Sequence, residues 1–278
     1  MINFNGTLLD SESELASNRA FLYGDAVFET IKVYRGKILF LEDHYFRLMA
    51  SMRIIRMKIP MEFTMEFIES QILDLTKQMQ YENSARVRIT VYRNNGGLYL
   101  PTSNEVSYLI QAFPLENSEY KCENLPYEVE LFKDFYVVKQ LLSTIKTTNK
   151  LINVVGSIFA NENGYQNCLL LNEDKNVVEA LNGNIFMLTN GVLKTPSTTE
   201  GCVNGIMRKQ ILELAKTNFN FTIEEGIISP FDLQKADELF ITNVISGVIP
   251  VTKYRKKEYE VVTSKELVRL LNISLLLN

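Results

Sequence analysis

Histidine is nearly absent: His44 is the one instance in 278 residues, and the three cysteines, Cys122, Cys168 and Cys202, stand far apart without C-x-x-C spacing. That scarcity rules against a thiolate–imidazole metal site and makes any Ser-His-Asp triad depend on His44, so a hydrolase with histidine chemistry is not expected. The cysteines read as small buried hydrophobes. Long basic runs are missing and the formal net charge is −4, which argues against nucleic acid, because phosphate-backbone binding needs clustered Lys and Arg. Lys256-Lys257 and Arg53/Arg56 read as solvated faces. The first residues, Met1 to Gly6, show neither a basic stretch nor an apolar one of the kind that directs export. The apolar run from Leu267 to Leu277 is too short for a bilayer and is interrupted by Arg269 and Asn272. The expectation is a cytoplasmic protein with no membrane partner.

With 46% hydrophobic and 22% charged residues, the chain can bury one large core or two moderate ones. Phe28–Val33 and Lys37–Phe40 flank Tyr34-Arg35-Gly36, a hairpin signature. Apolar residues recur at helical spacing from Leu41 to about Met57 (Tyr45, Leu48, Met49, Met52), which puts Arg47 on a helix, and again from Phe63 to Met79. Arg86 to Tyr92 alternates strictly, with Arg86, Arg88, Thr90 and Tyr92 on one face of a strand and three aliphatics on the other. Periodicity is then lost around Pro114 and Pro126. Beyond this, Tyr127–Phe132, Leu169–Asn172 and Asn184–Leu188 read as strands. Asn149–Asn163 reads as a helix with a Leu151/Val154/Val155/Ile158/Phe159 stripe, stopped by Gly164, and Gly205–Lys216 as another. The pattern is α+β in two domains: a small N-terminal α/β domain over 1–115, a linker over 116–126, and a larger C-terminal mixed-sheet domain over 127–278.

Chemistry concentrates at Lys146, in Ser143-Thr144-Ile145-Lys146-Thr147-Thr148-Asn149, and at Glu179 beyond it, followed by the glycine-broken helix start at Gly205. An enzyme using pyridoxal phosphate needs this set. An amine forms an imine with the cofactor aldehyde and, once released, shuttles a proton; a carboxylate keeps the pyridine nitrogen protonated; a helix start takes the phosphate. Glu173, Asp174 and Lys175 read as exposed charges instead.

The chain resembles the class IV aminotransferases, the fold-type IV pyridoxal-phosphate enzymes, from about Ala20 to Val251. Tyr23-Gly24-Asp25-Ala26-Val27-Phe28-Glu29-Thr30 is similar to the opening strand of that family, and His44-Tyr45-Phe46-Arg47-Leu48 to its H-x-x-R-L helix. Asn184-Ile185-Phe186 resembles its N-[IL]-F, Asn204-Gly205-Ile206-Met207-Arg208 its P-G-I-T-R phosphate loop, and Phe240–Asn243 running to Gly247–Val251 its second phosphate loop. The resemblance implies a pyridoxal 5'-phosphate enzyme in which Lys146 bears the cofactor as an aldimine. Arg47, Glu179, Asn184, Gly205, Ile206, Met207, Asn243, Val244 and Ile245 would bind the cofactor, and Tyr23, Phe28, Arg88 and Tyr92 would face the substrate. It also implies a homodimer.

The branch stays open. Where the branched-chain branch usually has tyrosine this chain has Leu151, and the Arg-x-His carboxylate trap of the D-amino acid branch is absent from Arg93-Asn94-Asn95-Gly96-Gly97-Leu98. Gly96-Gly97 resembles 4-amino-4-deoxychorismate lyase, but Leu98 replaces the arginine that follows the glycines there. The expected reaction is amino transfer between an amino acid and a 2-oxo acid, with the lyase reaction, pyruvate release from aminodeoxychorismate to give 4-aminobenzoate, as the alternative. A binding protein that kept the fold without the chemistry is disfavoured by intact Lys146 and Glu179.

Overall fold

The structure, a computed structural model, describes residues 2–4, 7–9, 14–122 and 125–277. Met1, Asn5 and Gly6 of the N-terminal stretch, and Glu123 and Asn124 of the expected linker, lie outside the described residues. Two compact units are present: Met1–Leu115 with Lys146–Asn149, and Glu116–Ile145 with Lys150–Asn278. The division differs from the sequence expectation in the segment around Lys146 and in the linker.

The first unit is built on an antiparallel sheet in the order Lys37–Ile38, Ala26–Tyr34, Ser84–Arg93, Val106–Pro114. Alternation in Ser84–Arg93 is realised: Val87, Ile89 and Val91 are fully buried, while Arg86, Arg88, Thr90 and Tyr92 are half-buried. The helices Leu41–Ile54 and Met65–Gln78 bury Leu48, Met49, Met52, Ile68 and Ile72. The first ends earlier than its apolar period suggests, because Arg56 turns into the left-handed region (φ 59°) and carries Met57 out of the helix. Tyr23 is corrected as well: it closes a helix, Arg19–Tyr23, which Gly24 ends in left-handed geometry before the strand begins at Ala26.

Lys37–Ile38 covers only the far end of Ala26–Tyr34, so the near end keeps an open edge. Lys146–Thr148 fills it: Phe28 N–H donates to the Lys146 carbonyl at 2.8 Å, and Thr148 N–H to the Ala26 carbonyl at 3.1 Å. Satisfying otherwise idle strand-edge groups is what draws this short segment into the first unit.

The second unit contains two mixed sheets. One runs Thr222–Gly226, Val192–Pro196, Asn184–Thr189, Glu238–Asn243, Gly247–Val251, and the other Lys257–Glu258, Lys253–Tyr254, Glu128–Val137, Asn167–Asn172, Val177–Ala180. Strands of both contribute to one core that includes Val129, Leu131, Leu169, Ile185, Met187, Leu239 and Ile241. The helix Val262–Leu277 starts on a buried carboxylate, since Glu238 accepts the N–H groups of Thr263 (2.6 Å) and Ser264 (3.1 Å).

Two packing details of this unit were not legible in the sequence. The helix Leu151–Glu162 buries Gly156 and Ala160, whereas Leu151, Val154 and Ile158 of the proposed stripe are exposed. Phe132 and Leu181 crowd Gly156 so closely that an added Cβ would meet Leu181 at 2.5 Å, and Ile152, Val155 and Phe159 pack against the same core. The expected linker is instead docked by Tyr120, whose hydroxyl donates to the Val244 carbonyl at 2.9 Å and whose backbone N–H and C=O both pair with the Asn272 amide. Among the described residues no helix is long and apolar enough to cross a membrane.

Candidate active site

In the first unit the strand Ala26–Tyr34 displays functional groups on both faces. Phe28 shares its face with Thr90, its neighbour across the sheet, and with Arg88 and Tyr92 on the same strand as Thr90. The Arg88 guanidinium carbon lies 3.7 Å from the centre of the Phe28 ring, and the Lys146 amine 4.7 Å from it. Arg88 Nε also donates to Thr90 Oγ1 at 3.2 Å. Burial, then the charge of Arg86, lowers the pKa of Arg88 from its ordinary value. Phe28, Arg88 and Lys146 thus form one cationic–aromatic cluster. The Tyr23 ring lies 5.7 Å from that of Tyr99 and 4.9 Å from the Arg19 guanidinium carbon, and Tyr92 lies opposite Ala26.

The opposite face carries Glu29 between Val27 and Ile31, all three buried. A carboxylate on an apolar face needs counter-charge, and the helix Leu41–Ile54 supplies it. Arg47 forks onto Glu29, Nε to Oε1 at 2.8 Å and Nη2 to Oε2 at 2.6 Å, while His44 Nδ1 lies 2.8 Å from Oε2. Burial alone would raise the Glu29 pKa; the charge and hydrogen bonds of Arg47, then of His44, overcome it and bring it down from 4.5 to about 2. For His44 burial dominates and lowers the pKa despite Glu29. A neutral imidazole must then donate from Nδ1 to Glu29, leaving Nε2 as an acceptor that is buried without a hydrogen-bond partner among the described residues. The pairing of Glu29 with Arg47 was not found from sequence. Its signal was present, a glutamate at an inward strand position followed by a histidine and an arginine three apart on a helix.

In the second unit Glu179, buried at the end of Val177–Ala180, accepts the Val203 N–H at 2.9 Å. The Val203 carbonyl accepts from Asn184 Nδ2 at 2.8 Å. One residue, Val203, therefore ties the carboxylate to the first residue of the neighbouring strand, and no side-chain pattern announces it. Gly205 follows and leads the helix Ile206–Asn218 with no side chain capping it. A Cβ on Gly205 would fall 1.9 Å from Asn184 Oδ1, so glycine is required there by space and not by its backbone angle (φ −75°). Ile206 and Met207 are buried in the first turn, and Arg208 is turned inward to the Pro196 carbonyl and Glu225. An uncapped, glycine-led helix start is an anion-binding device.

Asn243 ends the strand Glu238–Asn243, and its Oδ1 accepts the N–H groups of Ile245 (3.0 Å) and Ser246 (2.9 Å), folding the second loop back on itself. Val244 is buried, its carbonyl held by Tyr120. Close to Glu179, the Cys202 thiol is pushed up to about 12 by burial and then by the Glu179 charge, which leaves it inert. Cys168 is also buried, and Cys122 partly so.

Comparison with known proteins adds an independent line. The family model for amino-transferase class IV matches residues 26–254. A putative branched-chain-amino-acid aminotransferase of Methanocaldococcus jannaschii is 31% identical over 252 residues, covering 90% of this chain and 86% of that protein. D-alanine aminotransferase of Bacillus licheniformis is 29% identical over 265 residues, again covering 90% and 86%. Among solved structures, a putative 4-amino-4-deoxychorismate lyase of Legionella pneumophila superposes with a TM-score of 0.83 at 22% identity, covering 98% of this chain and 97% of that one. The branched-chain amino acid aminotransferase of Thermobaculum terrenum in its PLP form superposes with a TM-score of 0.79 at 24% identity, covering 95% and 87%.

Proposed function

The chain belongs to the class IV aminotransferases, and from that premise we propose that it moves an amino group between an amino acid and a 2-oxo acid with pyridoxal 5'-phosphate attached to Lys146. The observation that carries this reading is the cluster of Lys146, Phe28 and Arg88: a lysine anchored by its backbone carbonyl to a strand, its amine beside an aromatic ring that a guanidinium also contacts.

The residues fit the cofactor. The Glu179 carboxylate, fixed by the Val203 N–H, suits a protonated pyridine nitrogen; the uncapped start at Gly205, Ile206 and Met207 suits a phosphate; and Arg47, with its plane set by Glu29, suits a second contact to that phosphate. Bound cofactor supplies an electron-accepting ring. The protein's own part is to hold and move charge. Lys146 Nζ would take up the proton from the substrate Cα, Glu179 would present negative charge to the ring nitrogen, and Arg88 would hold a substrate carboxylate. Phe28, buried against both cations, keeps water from the amine. Asn184 supports the phosphate loop through Val203, and Asn243, Val244 and Ile245 form a second loop of the same site.

The aminotransferase relatives at 31% and 29% identity favour amino transfer, whereas the lyase is matched at the level of fold. The test is one preparation assayed for transfer from a panel of L- and D-amino acids to 2-oxoglutarate or pyruvate, and for pyruvate release from aminodeoxychorismate. Transfer without pyruvate release supports the proposal; pyruvate release alone would replace it by the lyase reaction. The proposal includes a cytoplasmic homodimer. Leu151, Val154 and Ile158, exposed along one helix, support a partner surface, and sedimentation equilibrium decides it.

A further inference from the structure

The cluster behind Phe28 contains a carboxylate for which the proposed reaction has no direct use. Glu29 is 1% exposed, on a strand position flanked by valine and isoleucine, in the unit that also carries Lys146. Burying a charge there is costly unless its partners are fixed. Three hydrogen bonds meet its two oxygens: Arg47 Nε on Oε1 at 2.8 Å, and Arg47 Nη2 at 2.6 Å with His44 Nδ1 at 2.8 Å on Oε2. A two-point fork fixes the plane of a guanidinium as well as its position. His44 in turn holds the carboxylate from a site one helical turn before Arg47, on the same helix.

We infer that Glu29 is a positioning residue: it orients the Arg47 guanidinium, with His44 locking Glu29, so that Arg47 recognises the phosphate ester of the cofactor by geometry and not by charge alone. The inference rests on the proposed role of Arg47 at that phosphate. It departs from a plain structural ion pair in one respect. A structural pair would support binding of every form of the cofactor equally, whereas a positioning residue acts on the phosphate and is silent toward a ligand that lacks it.

The two are separated by the preference of the cofactor-stripped, full-length protein for pyridoxal 5'-phosphate over pyridoxal, with each dissociation constant measured by equilibrium dialysis. Glu29→Gln retains the size of the side chain but offers one carbonyl acceptor in place of two carboxylate oxygens. It is expected to lower the preference for the phosphorylated form by roughly 10- to 100-fold, the scale of a hydrogen bond to a charged group, with pyridoxal affinity unchanged. Arg47→Lys retains the charge without the fork, and should lose the preference to a similar extent. That variant decides the matter if Glu29→Gln does not fold. Equal weakening of both ligands by Glu29→Gln, or a wild-type preference in Arg47→Lys, overturns the inference. Arg47→Ala tests the underlying reading separately: if it retains the wild-type preference, Arg47 does not serve the phosphate and both fall, whereas loss in Arg47→Ala with none in Glu29→Gln removes the role of Glu29 alone.

Discussion

Lys146 meets Phe28 twice, through its carbonyl, which accepts the Phe28 N–H at 2.8 Å, and through its amine, 4.7 Å from the Phe28 ring. The first contact belongs to the backbone and survives truncation of the side chain; the second involves the amine to which the proposed chemistry is assigned. Lys146→Ala should therefore fold normally, with a melting temperature within a few degrees of wild type by differential scanning calorimetry, while turnover falls by orders of magnitude because no group remains to move the Cα proton. A large drop in melting temperature would mean that the side chain is needed to build the first unit.

Glu179 is held by the Val203 N–H on Oε2. Glu179→Gln preserves its shape and removes the charge proposed to face the ring nitrogen, so kcat should fall by roughly a hundredfold, the scale of losing one electrostatic contact made in the transition state. The cofactor dissociation constant should move much less. Steady-state kinetics beside a cofactor titration checks this; unchanged kcat with weakened cofactor binding would make Glu179 structural.

Arg88, proposed to receive a substrate carboxylate, lies against the Phe28 ring that the Lys146 amine also approaches. Removing one partner of a buried charge-assisted contact costs about 2–5 kcal/mol, so Arg88→Leu should raise KM for amino acid and 2-oxo acid substrates by more than tenfold while cofactor retention stays near wild type. A variant with wild-type KM would take Arg88 out of substrate recognition.

Gly205→Ala would bring a methyl group to 1.9 Å from Asn184 Oδ1, displacing the amide that holds the Val203 carbonyl. Weaker phosphate binding follows, read as faster loss of pyridoxal phosphate on dialysis, together with a lower melting temperature, because the methyl overpacks a buried site and breaks a hydrogen bond even though the backbone angle at Gly205 suits any residue. Normal retention would exclude this loop from the phosphate site.

Acid stability should follow the Glu29 cluster. Glu29 is depressed from 4.5 to about 2, so the folded state binds fewer protons than the unfolded one between these values, and its contribution, on the order of 3 kcal/mol, is complete above pH 4.5 and lost as the pH falls toward 2. His44, also lowered, acts in the same direction from pH 6.5 downward, since the unfolded imidazole takes up a proton first. Urea denaturation from pH 7 to 3 should show stability falling on acidification, with a shallower fall in Glu29→Gln below pH 4.5. Identical slopes would contradict the assignment.

Local periodicity made much of this legible. The alternation from Arg86 to Tyr92 and the helical spacing of Tyr45, Leu48, Met49 and Met52 report directly on strand and helix, because side-chain direction repeats with the backbone. Periodicity is blind to what covers a face: of the stripe that marks the helix Leu151–Glu162, Val155 and Phe159 pack on the core while Leu151, Val154 and Ile158 are exposed. The same blindness applies to backbone partners. The pairing of Lys146 with the open edge beside Phe28, and the Val203 N–H on Glu179, are main-chain contacts between distant segments that no residue pattern encodes. The Glu29–Arg47 fork lies between these cases, since an inward glutamate required a cation and the helix that provides it was already legible.

The central claim is that Lys146 carries pyridoxal 5'-phosphate, and borohydride reduction of the holoenzyme followed by peptide mass mapping tests it most directly. A phosphopyridoxyl mass increment on the peptide containing Lys146, absent from Lys146→Ala, is the predicted result. A protein that acquires no increment, or one whose increment lies on another lysine and persists in Lys146→Ala, would contradict it.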